Sequence, residues 1–436
     1  MASSKNIILV TLDALRADHL SSYGYERETS PFLDDLAAGA TRFEWTFSAS
    51  SHTREAVPSI LTGRYPDRAV DNRFRRSADT IAERLRREGF TTAGFHSNPF
   101  VSRAYGFDQG FDTFYDDLHL GSNRLLALAQ RALDKLRSRH YARASEINER
   151  SLDWLDSLDG DRPFFLWNHY MDPHGPYEAP AEYQRRFHDE TVPKKEGQKL
   201  YYRAIDDPES ITDAERQRLV DLYDAEIAYS DDHLSAFFDA LESRDLLEDS
   251  LVLITADHGD AFGEEGYYEH PRYLHDELVH VPLIVTGADV ERGTVDSPTS
   301  TLDVVTTALS AVDHPVGDLP GEDLRDVAAT PESFADRTVI SQARGEKEDA
   351  DVRRFSARTR TTTCFAEYDT RTERLDLECR ARDGNGIGDS DREAIEEALR
   401  AHVGEHAGGG DGASEGEESE EVNEEIQDRL SALGYK

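Results

Sequence analysis

NIILVTLDALRADHL, residues 6 to 20, decides the fold. An apolar run of strand length ends at Asp13, and LVLITADHGD (residues 251–260) repeats the design by ending at Asp257-His258. Neither run alternates with polar residues. Each therefore reads as a strand buried on both faces, the kind that delivers side chains to the carboxyl edge of a parallel α/β sheet. Between them lies SASSHTREAVPSILTGRYP (residues 48–66), a hydroxyl-rich loop with Ser48, Ser50, Ser51 and Thr53, followed by a helix that Gly63 closes. The central expectation is that Asp13, Thr53, Asp257 and His258 converge on one metal ion, with Thr53 as the nucleophile.

Outward from these stretches, strands and helices alternate. Thr29-Ser30-Pro31 caps a helix that runs to about Ala38, Thr41 to Phe47 is a short strand, and Ala78 to Glu88 is an amphipathic helix. Thr91 to Phe95 and Phe164 to Trp167 are further strands, with a packed loop from Ala104 to Tyr115 and helical spacing over about 122–158. Residues 180–208 read as a polar, irregular rim or lid. Asp213 to Leu241 reads as one long helix or a broken pair, Pro282 to Thr286 as a buried strand, and Leu302 to Val312 as a helix. The alternation argues an α/β fold with a doubly wound, mainly parallel sheet. After about Asp318 the pattern changes, and Phe355–Cys364 and Arg374–Cys379 read as antiparallel strands separated by a turn at Asp369. The expected organisation is a catalytic unit over 1–318, a small α+β unit over 319–403, an acidic disordered linker over 404–421 and a terminal helix over 422–436.

The 436 residues include 88 acidic and 49 basic side chains, for a net charge of −39, and only 7 of the basic residues are Lys. Acid excess of this kind suits concentrated salt, where the Debye length shrinks from about 10 Å at 0.1 M to about 3 Å at 1 M. The chain is thus read as halophilic. No basic stripe marks a nucleic-acid partner. The N-terminus carries no secretory pattern and no window approaches the ~18 apolar residues of a membrane span, so the cytoplasm is the expected compartment. Cys364 and Cys379 are placed to face each other across a hairpin, where a reduced buried pair is expected ahead of a disulfide. The oligomeric state does not follow from the sequence.

Five strings in order, LDALRADHLSSYGY, LTGRYP, HYMDPHGPY, TADHGDAFGEEG and HVPLIV, give the chain its resemblance to the sulfatase branch of the alkaline-phosphatase superfamily. The resemblance implies a metal-dependent hydrolase or transferase of oxyanion esters, with a small antiparallel sheet packed on the main domain. It also exposes departures. Ala14 stands where most sulfatases carry a second Asp ligand. Counting ten residues back from Gly63 gives Thr53 where sulfatases carry Cys or Ser, and Glu55 and Val57 occupy the positions of the family's Pro and Arg. Formylglycine is made from Cys or Ser, so Thr53 would attack directly as a metal-activated hydroxyl. Members with Thr at this position, such as lipoteichoic acid synthases and nucleotide pyrophosphatase/phosphodiesterases, act on phosphate esters through a phospho-threonine.

Each candidate has a plainer alternative. A carboxylate buried at a strand end is costly without a partner or metal, but Asp13 also fits helix capping. Asp257 and His258 offer one hard oxygen and one imidazole, a set suited to Mn, Mg or Zn more than Ca; strand-end capping is the other reading. Thr53 competes with an ST-turn role and with Ser50 or Ser51 in a shifted register. By resemblance, His174 contacts the ester or protonates the leaving group, a task for a group with pKa near 7. His270, Arg54 and Arg272 are the candidates for holding an oxyanion. His169, His275 and His280 read as structural, and Asn98 as a rim contact. The expected function is hydrolysis of sulfuric or phosphoric esters. The alternatives are phosphotransfer or phosphodiester cleavage on lipid or glycan head groups, and a non-catalytic anion-binding pseudoenzyme. One divalent ion (Mn, Mg, Ca or Zn) and a small-molecule, glycan or lipid ester are the expected cofactor and partner.

Overall fold

The computed structural model describes residues 6–117, 141–160, 162–287, 289–345, 349–382 and 387–407. Its main sheet is built from β1 (Asn6–Leu12), β2 (Thr41–Phe47), β3 (Thr91–Phe95), β4 (Thr113–Tyr115), β5 (Phe164–Tyr170) and β6 (Ser250–Ala256). A small hairpin follows, of β7 (Ala261–Phe262) and β8 (Tyr268–Glu269). Then β9 (His280–Thr286), β10 (Gly293–Val295) and β11 (Thr299–Ser300) complete the sheet. The strand order is β10-β2-β9-β6-β1-β5-β3-β4, with β11 also on β2. Only β9 runs against its neighbours, antiparallel to both β6 and β2.

Every residue of β1, β5 and β6 is buried, which is why none of them alternates in sequence. Successive side chains of β1 still point to opposite faces. Ile8, Val10 and Leu12 join the core beneath the 30-residue helix Asp213–Glu242, while Ile7 and Leu9 join the core beneath helices Thr53–Thr62 and Asp303–Ser310. The long helix is unbroken. A capping box starts it, with Thr212 Oγ1 accepting from Glu215 N at 3.3 Å and Glu215 Oε2 accepting from Thr212 N at 3.1 Å. The mainly parallel, doubly wound sheet is thus the architecture the apolar runs predicted.

A second sheet, β12 (Val339–Arg344), β13 (Val352–Arg358), β14 (Thr362–Asp369) and β15 (Arg374–Ala381), is antiparallel in that order. Helix Asp389–His406 covers it through Ile395, Leu399 and Val403. The turn at Asp369 is where the sequence put it, but residues 355–364 are not one strand. Thr359–Thr361 turn the chain, and β13 and β14 pair across that turn. Cys364 and Cys379 are direct cross-strand partners and form a disulfide, which corrects the expected reduced pair. Register explains it: directly opposed residues bring their side chains close enough to bond.

Three further expectations change. The 104–115 loop ends in β4, an edge strand of the main sheet. The supposed irregular rim contains helices Ala181–Phe187 and Lys194–Asp206, the latter burying Tyr201 and Ala204. Polar residues dominate both, so only a few inward positions betrayed them. Helix Asp389–His406 also runs three residues into the stretch read as linker. The remaining linker, the terminal helix and most of the helical stretch from 122 lie outside the described residues. No described helix is long and apolar enough to cross a membrane.

The charge excess makes a salt-dependent fold the expected result. With a net charge of −39, unscreened carboxylates repel at low salt. The melting temperature should rise between about 0.1 M and 3 M KCl as screening shortens the Debye length several-fold. A flat profile across that range, read by circular dichroism, would defeat the halophilic reading.

Candidate active site

β1 and β6 are hydrogen-bonded neighbours, and Leu12 pairs with Ala256, so Asp13 and Asp257 leave the sheet side by side. Asp13, Asp257, His258 and Thr53 have no exposed surface. One oxygen of each carboxylate is occupied. Asp13 Oδ2 accepts from Asn98 Nδ2 at 2.7 Å and meets His169 Nε2 at 3.2 Å. Asp257 Oδ1 accepts from the backbone N–H groups of Ala14 (3.1 Å) and His258 (2.9 Å). The other oxygens, Asp13 Oδ1 and Asp257 Oδ2, are buried without a hydrogen-bond partner. They lie 3.6 and 3.5 Å from His258 Nε2. Two bare carboxylate oxygens facing one imidazole nitrogen form the donor set a divalent cation takes.

The histidine is prepared for that role. His258 Nδ1 lies 2.9 Å from the Gly259 carbonyl, which can only accept, so the proton is on Nδ1 and the lone pair on Nε2. Thr53 Oγ1 is 3.0 Å from that same Nε2. Gly259 is required for room rather than for a left-handed turn: a Cβ there would lie 2.2 Å from the Glu277 carbonyl oxygen. Ala14 does adopt the left-handed region, at φ 61°. Tyr223 OH donates to its carbonyl at 2.6 Å, which helps hold a conformation that a non-glycine residue adopts at a cost of about 1–3 kcal/mol.

Thr53 begins helix Thr53–Thr62. His52 is its N-cap, with Nδ1 accepting from Arg54 N at 3.2 Å. The loop before it is tied to β6 by the Ser48 hydroxyl, which donates to the Asp257 carbonyl. Opposite stands an imidazole pair: His174 Nε2 lies 2.9 Å from His270 Nε2, and the His270 ring packs on His258 with centroids 4.3 Å apart. His174 Nδ1 faces the Gly175 carbonyl at 2.5 Å.

Electrostatics sort these groups. Burial works to raise the Asp13 pKa, but His174, His169 and His258 outweigh it and hold the carboxyl down at about 2. Burial and the charge of Asp13 push Asp257 up to about 7. His174 is raised: burial opposes its charge, and the carboxylates of Asp13 and Asp260 prevail. His270 lies well below its ordinary value because of burial and the neighbouring His258 and His174, and burial lowers His258 as well.

The structure therefore brings Asp13, Thr53, Asp257 and His258 together, with His174 and His270 beside them. Arg54 stacks over Phe100 and Phe74, its Cζ 4.2 and 5.0 Å from the ring centroids. Arg272 is ion-paired with Glu55. Asn98, expected as a rim contact, is buried and holds Asp13. His169, read as structural, touches the same carboxylate. Their sheet positions carried the missed signal: both sit at or just beyond the carboxyl ends of β5 and β3. His280 is structural, stacked on Trp45 with Nε2 at 2.9 Å from the Glu44 carbonyl. Among the described residues one other group has metal-ligand spacing, Glu265, His275 and Glu277, which is partly exposed and already bridged by the Tyr267 hydroxyl.

The Sulfatase family profile matches residues 5–314. The choline-sulfatase of Rhizobium meliloti is 25% identical over 361 residues, an alignment covering 74% of this chain and 69% of the relative. The low-salt glycan biosynthesis sulfotransferase Agl7 of Haloferax volcanii is 27% identical over 301 residues, 68% of this chain and 60% of the relative. Among solved structures, a phosphonate monoester hydrolase of Agrobacterium radiobacter superposes with a TM-score of 0.72 at 18% identity, covering 92% of this chain and 96% of that one. Likeness at that identity shows a shared fold.

Proposed function

The chain belongs to the sulfatase family and is a sulfatase-like ester hydrolase or transferase, and from that premise we propose that it cleaves a sulfuric or phosphoric ester at Thr53 with the aid of one divalent cation. The observation that carries the reading is Thr53 Oγ1 at 3.0 Å from His258 Nε2, at the point where two bare carboxylate oxygens converge. Asp13, Asp257 and His258 would hold the cation. When bound it would supply Lewis-acid chemistry, lowering the pKa of a hydroxyl and offsetting charge on the ester oxygens.

This chain's own residues do the rest. Thr53 Oγ1, its proton released to water once the hydroxyl's pKa is lowered, attacks the sulfur or phosphorus in line, forming one O–S or O–P bond as the bond to the leaving oxygen breaks. His174, whose pKa is raised, gives the leaving oxygen a proton. Water or an acceptor hydroxyl then displaces the threonine, giving its proton to the now neutral His174, which yields hydrolysis or transfer. Asn98 and His169 keep Asp13 aimed inward. Buried walls exclude stray water around charges that develop in the transition state.

Charge favours a monoanionic ester. The two carboxylates balance a divalent cation, Glu55 offsets one of Arg272 and Arg344, and Asp260 offsets the raised His174, which leaves the surroundings with about one positive charge. That suits a sulfate monoester or a phosphodiester better than a phosphate monoester dianion. A panel of 4-nitrophenyl sulfate, bis(4-nitrophenyl) phosphate and 4-nitrophenyl phosphate, each with Mn, Mg, Ca or Zn, tests the proposal. Turnover of the sulfate or the diester in excess of the monoester is the expected outcome. Equal inactivity toward all three with metal-loaded protein would leave only anion binding.

A further inference from the structure

Glu55 lies in the first turn of helix Thr53–Thr62, two residues after Thr53, and has no exposed surface. An ionised carboxylate at that depth requires compensation, and removing one partner of such a pair leaves an uncompensated charge. Glu55 has two partners from distant parts of the chain. Arg272 Nη1 donates to Oε2, and Arg344 Nε lies 3.3 Å from Oε1. Ser50 Oγ approaches Oε2 at 3.4 Å.

The origin of each arginine matters. Arg272 stands two residues after His270, whose ring packs on His258. Arg344 is the last residue of β12, a strand of the C-terminal sheet. β12 runs along the loop before Thr53 and holds it at two more points: Ser341 Oγ donates to the Ser48 carbonyl at 2.6 Å, and Gln342 N donates to the Ala49 carbonyl at 2.8 Å. Phe74 fills the space beside both guanidinium groups, its centroid 5.3 Å from Arg272 Cζ and 5.5 Å from Arg344 Cζ. One carboxylate thus joins three segments: the helix that starts with Thr53, the loop that carries His270, and the edge of the second sheet.

We propose that Glu55 is a positioning residue for the reaction at Thr53, clamped between Arg272 and Arg344 so that the C-terminal sheet fixes the Thr53 hydroxyl relative to His258 and His270. Hydroxyls attack efficiently only within a narrow range of distance and angle, and small displacements are expensive. The two arginines also keep the clamp's net charge from being negative beside an incoming anion. The proposal rests on the reading of Thr53 as nucleophile.

The test uses Glu55→Gln, Glu55→Asp and Arg344→Gln in the full chain, loaded with Mn and compared with Thr53→Ala. In Glu55→Gln, kcat for bis(4-nitrophenyl) phosphate or 4-nitrophenyl sulfate should fall about 10- to 100-fold with KM little changed, the signature of misplaced reacting groups. Glu55→Asp should restore part of the loss, and Arg344→Gln should lose less because the Arg272 pair remains. Glu55→Gln leaves two guanidinium groups without their carboxylate, so the global melt should fall; metal content should hold, and amide hydrogen exchange over residues 48–56 should quicken about tenfold or more beyond what that fall accounts for, because local opening is the predicted defect. Unchanged kcat with unchanged exchange there overturns the proposal, as does a lowered melting temperature with wild-type kcat. Should Glu55→Gln fail to fold, Arg344→Gln decides by the same readings. A full rate in Thr53→Ala rejects the parent reading and this one together; loss in Thr53→Ala alone rejects only the clamp.

Discussion

Thr53→Ala is expected to abolish turnover while the protein stays folded and keeps its metal. The loss should reach at least about a thousandfold in kcat, since removing a nucleophile from an assembled site commonly costs several powers of ten. Packing cannot imitate this. The deleted hydroxyl and methyl are small, and a cavity of that size destabilises by about 1–2 kcal/mol, which a folded domain tolerates. Asp13, Asp257 and His258 are untouched, so metal content by mass spectrometry should stay near that of the parent. Thr53→Ser keeps the oxygen and should retain measurable activity, because only the methyl is lost. Incubation with a slowly turned-over phosphodiester should leave phosphoryl mass on the peptide containing Thr53. If Thr53→Ala keeps near wild-type rates, Ser50, Ser51 or a water must be the attacking group, and the count back from Gly63 is in the wrong register.

How far the sequence could be read follows from how local each signal is. Asp13 and Asp257-His258 were legible because an apolar run that stops at a carboxylate marks a strand end, and β1 and β6 prove to be neighbours in register. Thr53 was legible by counting from the glycine that closes its helix, which does adopt the left-handed conformation at φ 67°. Asn98 and His169 were not. Their importance comes from β3 and β5 lying in the same sheet as β1, which no local pattern states. β12 has no clear sequence signal for a related reason: VISQAR has three apolar residues in no alternating pattern, and its strand character comes from pairing with β13 and docking on the loop before Thr53. Glu55 reads in sequence as a charge in the wrong place. Only Arg272 and Arg344, arriving from more than two hundred residues away, show why it is tolerated.

Metal binding should release a proton below about pH 7 and become pH-independent above it. In the cation-free protein the paired carboxyls divide their charge: Asp13 stays ionised at about 2, while burial and the charge of Asp13 push Asp257 up to about 7. Between those values the pair holds one negative charge and one proton. A divalent cation needs both carboxylates, so below pH 7 it must expel the Asp257 proton. Each unit of falling pH then costs about tenfold in apparent affinity. Higher pH favours binding, and the gain stops once Asp257 has ionised. His258 adds no competing step in that window, because burial lowers its pKa and its Nδ1 proton is held by the Gly259 carbonyl. Calorimetric titration with Mn, repeated in buffers of different ionisation enthalpy, should count close to one proton released at pH 6 and almost none at pH 8.5. Asp257→Asn should remove that release and weaken binding at pH 8 by about 10-fold or more, because a neutral amide replaces an ionised ligand. Wild-type affinity that stays level from pH 5.5 to 8.5 would mean the cation does not bind at Asp257. The two bare oxygens between β1 and β6 would then need another explanation.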